Sequence, residues 1–114
     1  MIIKDKIFVV TGGAGSFGSV LVKRLHELGA KEVRVFSRNN RSDWEGDIRD
    51  ISALKKVMNE ADYVIHAAAV KDVHYCEENP AEAIDVNVFG SINVLNAAKE
   101  AGVERIVFKN SFSS

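Results

Sequence analysis

Four of the chain's eight glycines lie between residues 12 and 18. They fall in Thr11-Gly12-Gly13-Ala14-Gly15-Ser16-Phe17-Gly18, and the flanks of this stretch restrict the fold more than anything else in the chain. Before it, Ile7-Phe8-Val9-Val10 is a continuous apolar run of the kind that forms a strand covered on both faces. After it, Phe17, Val20, Leu21, Leu25 and Leu28 recur at steps of three and four, a helical pattern that Gly29 is placed to end. Strand, glycine turn and helix in that order open a parallel α/β sheet. Gly12 permits the tight turn, Gly15 lets backbone approach a diphosphate with no Cβ in the way, and Gly18 lets the helix pack closely on the sheet. The N–H groups of Ser16, Phe17 and Gly18 then face the anion, reinforced by the helix dipole. A triphosphate-binding loop needs a lysine ahead of its hydroxyl residue; here Ser19 follows Gly18 directly, so nothing reaches a γ-phosphate.

The rest of the chain repeats the alternation. Val33-Arg34-Val35-Phe36 reads as a second strand. Asp50 caps a helix whose apolar face is Ile51, Leu54, Val57, Met58 and Ala61. Tyr63-Val64-Ile65 is a third strand. Asn79 at the N-cap, Pro80 at the first helical position and Glu82 three residues after the cap begin a helix running to Ala101, with Gly102 as its stop. Its expected inward face is Ile84, Val88, Ile92, Leu95 and Ala98. Ile106-Val107-Phe108 is a last strand. The expectation is an α/β fold with an open, doubly wound parallel sheet of four strands in the flavodoxin-like order 2-1-3-4, plus a short extra strand near residues 44–48. The segment after the second strand is unusually brief. Only residues 38–45 lie between Ser37 and Gly46, fewer than the dozen or so that a helical crossover takes, and Asn39-Asn40-Arg41-Ser42-Asp43 is turn chemistry.

Length and charge narrow the function. A chain of 114 residues suits one domain, 1–114, with no room for a separate substrate domain. Fifteen Lys and Arg against 16 Asp and Glu provide no electrostatic grip on nucleic acid. No run approaches the ~18 apolar residues of a membrane span, and no signal peptide pattern opens the chain, so a cytoplasmic location is expected. One cysteine excludes an internal disulfide. Cys76 sits beside Glu77 and Glu78, which suits a packed residue better than a nucleophile. The set His66, His74 and Cys76 falls short of zinc-site patterns, so no metal is expected.

With the spacing G-x-x-G-x-x-G, the glycine turn resembles that of extended short-chain dehydrogenases/reductases. Further segments carry the likeness: V-F-S-R at 35–38, G-D-I-R-D at 46–50, H-A-A-A-V-K-D-V at 66–73, C-E-E-N-P-A-E-A at 76–83, N-V-F-G at 87–90 and A-G-V-E-R-I-V at 101–107. Together they resemble the NAD(P)-binding Rossmann half of the UDP-N-acetylglucosamine 4,6-dehydratases of polysaccharide biosynthesis, from about Lys4 to Val107. The resemblance implies a cofactor site built from Gly12, Gly15, Ser16, Phe17 and Gly18 around the pyrophosphate. In it, Asp47 would accept from the adenine amino group and Ile48 would pack on the ring. Ala67, Ala68 and Ala69 would line the path of the riboses, and Lys71 would face a sugar-nucleotide phosphate. Asn87, polar on an apolar helix, suits a structural or a functional role equally.

Where dinucleotide-binding domains place Asp or Glu to hold the ribose 2′-OH, this chain has Ser37 and Arg38, with Arg41 nearby. A guanidinium grips a 2′-phosphate that a carboxylate would repel, so NADP(H) is favoured over NAD(H). The bland alternative is that both arginines are solvated loop charges. The relatives' catalytic groups are missing: four residues beyond Tyr63 and Tyr75 stand Ala67 and Asn79, so there is no Tyr-x-x-x-Lys. Ser111 occupies the hydroxyl position of the relatives' Thr-Asp-Lys segment as a remnant, but Phe112 and Ser113 replace the Asp and Lys. The expectation is a nucleotide-binding domain with no catalysis of its own, an engineered version or fragment of a longer enzyme, with weakened cofactor binding. The alternatives are a truncated or engineered scaffold that has lost the ligand, or a UDP-sugar dehydratase fragment that needs the missing part. The last strand is an open edge through which copies would self-associate.

Overall fold

The computed structural model describes residues 2–12, 16–38, 44–67, 78, 80–81 and 85–108, with residues 16, 17 and 85–87 described as backbone. Five parallel strands form one sheet: β1 (Ile7–Thr11), β2 (Glu32–Ser37), β3 (Trp44–Glu45), β4 (Tyr63–His66) and β5 (Arg105–Phe108). Their order is β3-β2-β1-β4-β5. The expected four-strand order lies within it, and the short strand at residue 44 extends it by one. Helix α1 (Ser16–Glu27) joins β1 to β2, α2 (Ile51–Val57) precedes β4, and α3 (Ser91–Ala101) precedes β5. A π-helical segment, Asp85–Gly90, leads directly into α3.

Two apolar layers sandwich the sheet. On one face Phe8, Val10, Val33, Tyr63 and Ile65 meet Leu25, with Leu21 and Val22 of α1 alongside. On the other, Val9, Phe36 and Val64 meet Leu54 and Val57 of α2 and Val94, Ala97 and Ala98 of α3. β1 and β4 are therefore covered on both sides, as their unbroken apolar runs require. The Asp50 side chain accepts hydrogen bonds from the Ser52 and Ala53 amides at 3.0 and 3.3 Å, the cap that the sequence predicts for α2.

Two expected helix faces are corrected. In α1, Leu21 and Leu25 face the sheet as expected and Val22 joins them, but Val20 is 70% and Leu28 42% exposed. In the last helix Ala98 is buried as expected, but Val88, Ile92 and Leu95 are each close to half exposed and Val94 and Ala97 are fully buried in their place; Ile84 lies outside the described residues. Two apolar stripes compete on that helix, and the small-residue stripe allows the closer approach. Gly90 shows how close: a Cβ there would lie 2.6 Å from Ile48 Cδ1. The i→i+5 winding of residues 85–90 also advances the helix phase relative to a uniform α-helix, which a 3.6-residue pattern does not anticipate.

The brief β2–β3 connection closes because β3 pairs only with the last residues of β2, Phe36↔Trp44 and Ser37↔Glu45. The chain need return only about two residues' rise, roughly 7 Å, rather than a whole strand length. Arg34 of β2 secures this flank. Its guanidinium carbon lies 5.4 Å from the Trp44 ring centroid, and Nη1 donates to the Val57 and Asn59 carbonyls at 2.8 and 2.6 Å. Nε donates to Glu32 Oε2 at 3.0 Å, so this nearly buried charge is both paired and hydrogen-bonded.

Candidate functional site

The sheet order reverses direction between β1 and β4, where α1 lies on one face and α3 on the other. Such a switch point opens a crevice at the carboxyl ends of the strands. The last paired residues there are Thr11 of β1 and His66 of β4, which are partners in register. On the β1 side the backbone turns at Gly12, whose φ of +76° is left-handed and whose N–H donates to the Phe36 carbonyl at 2.9 Å. α1 begins at Ser16, so the amides of Ser16, Phe17 and Gly18 form its first turn, where N–H groups have no intrahelical acceptor. Gly18 is buried, and the first turn holds no acidic residue to compete for those amides. Gly15 lies outside the described residues.

On the β4 side the Ala67 N–H donates to the Thr11 carbonyl at 3.0 Å and lies 3.2 Å from Thr11 Oγ1. Ala68, Ala69 and Lys71 lie outside the described residues, as do Arg41, His74, Cys76 and Ser111; of Asn87 only the backbone is described.

Beyond β2, Ser37 is half-buried and Arg38 is exposed. Arg38 Nη1 stands 4.0 Å from Asp47 Oδ2. Arg49 engages the same carboxylate more closely, its backbone N–H donating to Oδ1 at 2.9 Å and Nη2 to Oδ2 at 2.7 Å. That bond holds the Asp47 carboxyl below its ordinary value against the opposing effect of partial burial, so Asp47 is ionised at neutral pH. Nε of Arg49 also donates to both oxygens, at 3.1 and 3.2 Å, so Arg49 alone engages both sides of the carboxylate. Ile48 turns inward beneath Gly90 and is 6% exposed, so what it presents to the crevice is backbone rather than an open apolar face. Asn93 of α3 donates through Nδ2 to the Ile48 and Arg49 carbonyls, both at 3.2 Å, and fixes residues 46–50 on the helix. Neither Arg49 nor Asn93 stands out in the sequence; the D-x-R spacing of Asp47 and Arg49, typical of a side chain closing back on the next turn, was the available signal.

The structure also finds a part for His66, which the sequence offered only as a member of an unconvincing metal set. Its Nδ1 lies 2.6 Å from Thr11 Oγ1 and its Nε2 lies 3.0 Å from Ser91 Oγ at the start of α3. Phe108 of β5 covers the ring edge-on, with centroids 5.5 Å apart. The ring is 4% exposed, and this burial pushes its pKa down to about 4.

The sequence profile of the NAD dependent epimerase/dehydratase family matches residues 8–114. The chain belongs to that family. Curated relatives include the uncharacterized membrane protein MJ1061 of Methanocaldococcus jannaschii, 39% identical over 91% of this chain. Among solved structures, Pen from Bacillus thuringiensis is 37% identical over 95% of the chain with a TM-score of 0.89. The UDP-glucose 4-epimerase of Thermus thermophilus in complex with NAD is 32% identical over 90% with a TM-score of 0.81. The chain spans only 35% of the MJ1061 protein and 39% and 36% of the two solved chains. Among the described residues no helix is long and apolar enough to cross a membrane.

His66 gives the folded chain a defined acid response. The unfolded state takes up a proton at the ordinary histidine value of 6.5, the folded state only at about 4. Stability is therefore full above pH 6.5 and falls as the pH drops toward 4, by about 3 kcal/mol for a shift of this size. Urea midpoints measured from pH 7 to pH 4 should show this slope in the wild type and lose it in His66→Asn; equal slopes would contradict the assignment.

Proposed function

We propose that this chain is the dinucleotide-binding half of a nucleotide-sugar enzyme of the 4,6-dehydratase type, with NADP(H) preferred over NAD(H). The observation that carries the reading is the β1–α1 junction: β1 gives way to a left-handed Gly12 and α1 opens at Ser16, so first-turn amides with no intrahelical acceptor stand at the carboxyl end of the sheet. This bend fits a pyrophosphate, because no carboxylate occupies the first turn of α1 and glycine stands at residues 12, 15 and 18. In this reading the bound dinucleotide supplies the hydride acceptor. The chain's own residues bind and orient it: Ser16 to Gly18 hold the diphosphate, Ala67 to Ala69 leave space for the riboses, and Asp47 receives the adenine amino group beside its bond to Arg49. Lys71, beyond that strand end, faces the sugar-nucleotide phosphate.

Cofactor preference rests on the end of β2. Ser37 and Arg38 stand where a carboxylate would select the unphosphorylated ribose, Arg38 and Arg49 add positive charge there against Asp47, and Arg41 follows in the sequence. Calorimetry with NADP+ and NAD+ tests both halves of the reading. NADP+ should bind more tightly, and Gly15→Val should abolish binding of both, since the added side chain occupies the pyrophosphate's place. Equal heats from the two proteins would contradict the reading.

The flank of β5 supports a further part of it. Beyond its pairing with β4, Val107 is 38% and Phe108 50% exposed, and we propose that copies of the chain associate through this edge. Sedimentation should show a concentration-dependent dimer; a clean monomer at high concentration would contradict it.

A further inference from the structure

Thr11, His66 and Ser91 form a polar chain beside the apolar layer of Val9, Val64 and Val94, the two strand residues two positions further along and Ser91 one helical turn before Val94; all three valines are fully buried. The polar chain lies where the walls of the crevice part. Past Thr11 and His66 the strands are no longer paired, and the backbone runs out to Gly12 on one side and Ala67 on the other. Both of those residues are tied back at their amides, Gly12 to the Phe36 carbonyl and Ala67 to Thr11. The Thr11 hydroxyl also receives the Ala67 N–H, at 3.2 Å. With the neutral imidazole protonated at Nε2, Nδ1 accepts from the Thr11 hydroxyl and Nε2–H donates to Ser91 Oγ. One hydroxyl and one neutral imidazole thereby connect β1, β4 and the first residue of α3, immediately after the π-helical segment.

We infer that Thr11, His66 and Ser91 are positioning residues for the dinucleotide: they set the separation of the β1 and β4 ends and of α3 before the ligand arrives. This inference rests on the dinucleotide reading above. Its physical content is preorganisation. A crevice whose supporting groups are already in place spends no binding energy on ordering them, and a site left loose by about 1 Å binds poorly. None of the three needs to touch the ligand.

Ser91→Ala is the sharpest variant, because it removes only the outer bond of the chain from a half-buried position at a helix start. Calorimetry with NADP+ should find its affinity lowered about fivefold, the worth of one neutral hydrogen bond, while Ser91→Thr, which restores a hydroxyl, stays within about twofold of wild type. Nitrogen-15 spectra of the His66 ring should show the Nε2–H tautomer in the wild type and a mixture of tautomers in Ser91→Ala, a signature that a general loss of stability would not produce. Ser91→Ala binding as tightly as wild type, whatever its melting temperature, would overturn the inference and leave the dinucleotide reading intact. Absence of NADP+ binding by the wild type would overturn both.

Discussion

The apposition of Thr11 and His66 across the β1–β4 pairing determines what the rest of this molecule can do. These residues end the two strands whose following connections leave on opposite faces of the sheet, so the crevice opens directly above them. Everything proposed for the chain is measured from that point: the left-handed turn at Gly12, the first-turn amides of α1, the ribose path that starts at Ala67 and the α3 start at Ser91. The apolar layers below exist to hold the two strand ends level. Val9, Val10 and Val64 are fully buried, and β1 and β4 have no polar side chain facing either layer before Thr11 and His66.

The second constraint is the brevity of the β2–β3 connection, and the structure meets it with side chains instead of a crossover helix. Arg34 spans the gap between β2 and the carboxyl end of α2 and lies against Trp44, so one guanidinium does the joining that a longer strand would do with ladder bonds. The segment after β3 is then pinned from the other side, with Ile48 under Gly90 and its carbonyl held by Asn93. One consequence reaches the site. Asp47 is anchored among positive charges rather than left on an open loop, which keeps it ionised and in place beside the crevice.

Much of this was legible in the residues. Apolar runs marked the central strands, Asp50 marked a helix start, and the glycine turn between a strand and a helix marked the crevice. Val88, Ile92 and Leu95 misled because large apolar side chains suggest an inward face, whereas close packing of α3 selected Val94 and Ala97 beside the expected Ala98. The π-helical turn before Ser91 could not be read from a 3.6-residue period. The short strand expected near residues 44–48 is there at Trp44 and Glu45, but what holds it, the tertiary contact with Arg34, is in no local pattern. His66 was hidden for the same reason: its partners stand 55 residues before it and 25 after it, and only the sheet brings them together.

The central claim is that the amides at the β1–α1 bend are aimed at a diphosphate. Following backbone amide resonances of the nitrogen-15-labelled chain while NADP+ is added addresses it most directly. The account predicts saturable shifts concentrated at Gly12, Ser16, Phe17, Gly18 and Ala67, with the amino ends of the strands around Ile7 and Tyr63 unmoved. Shifts scattered over the surface, or none at the bend at saturating nucleotide, would contradict it.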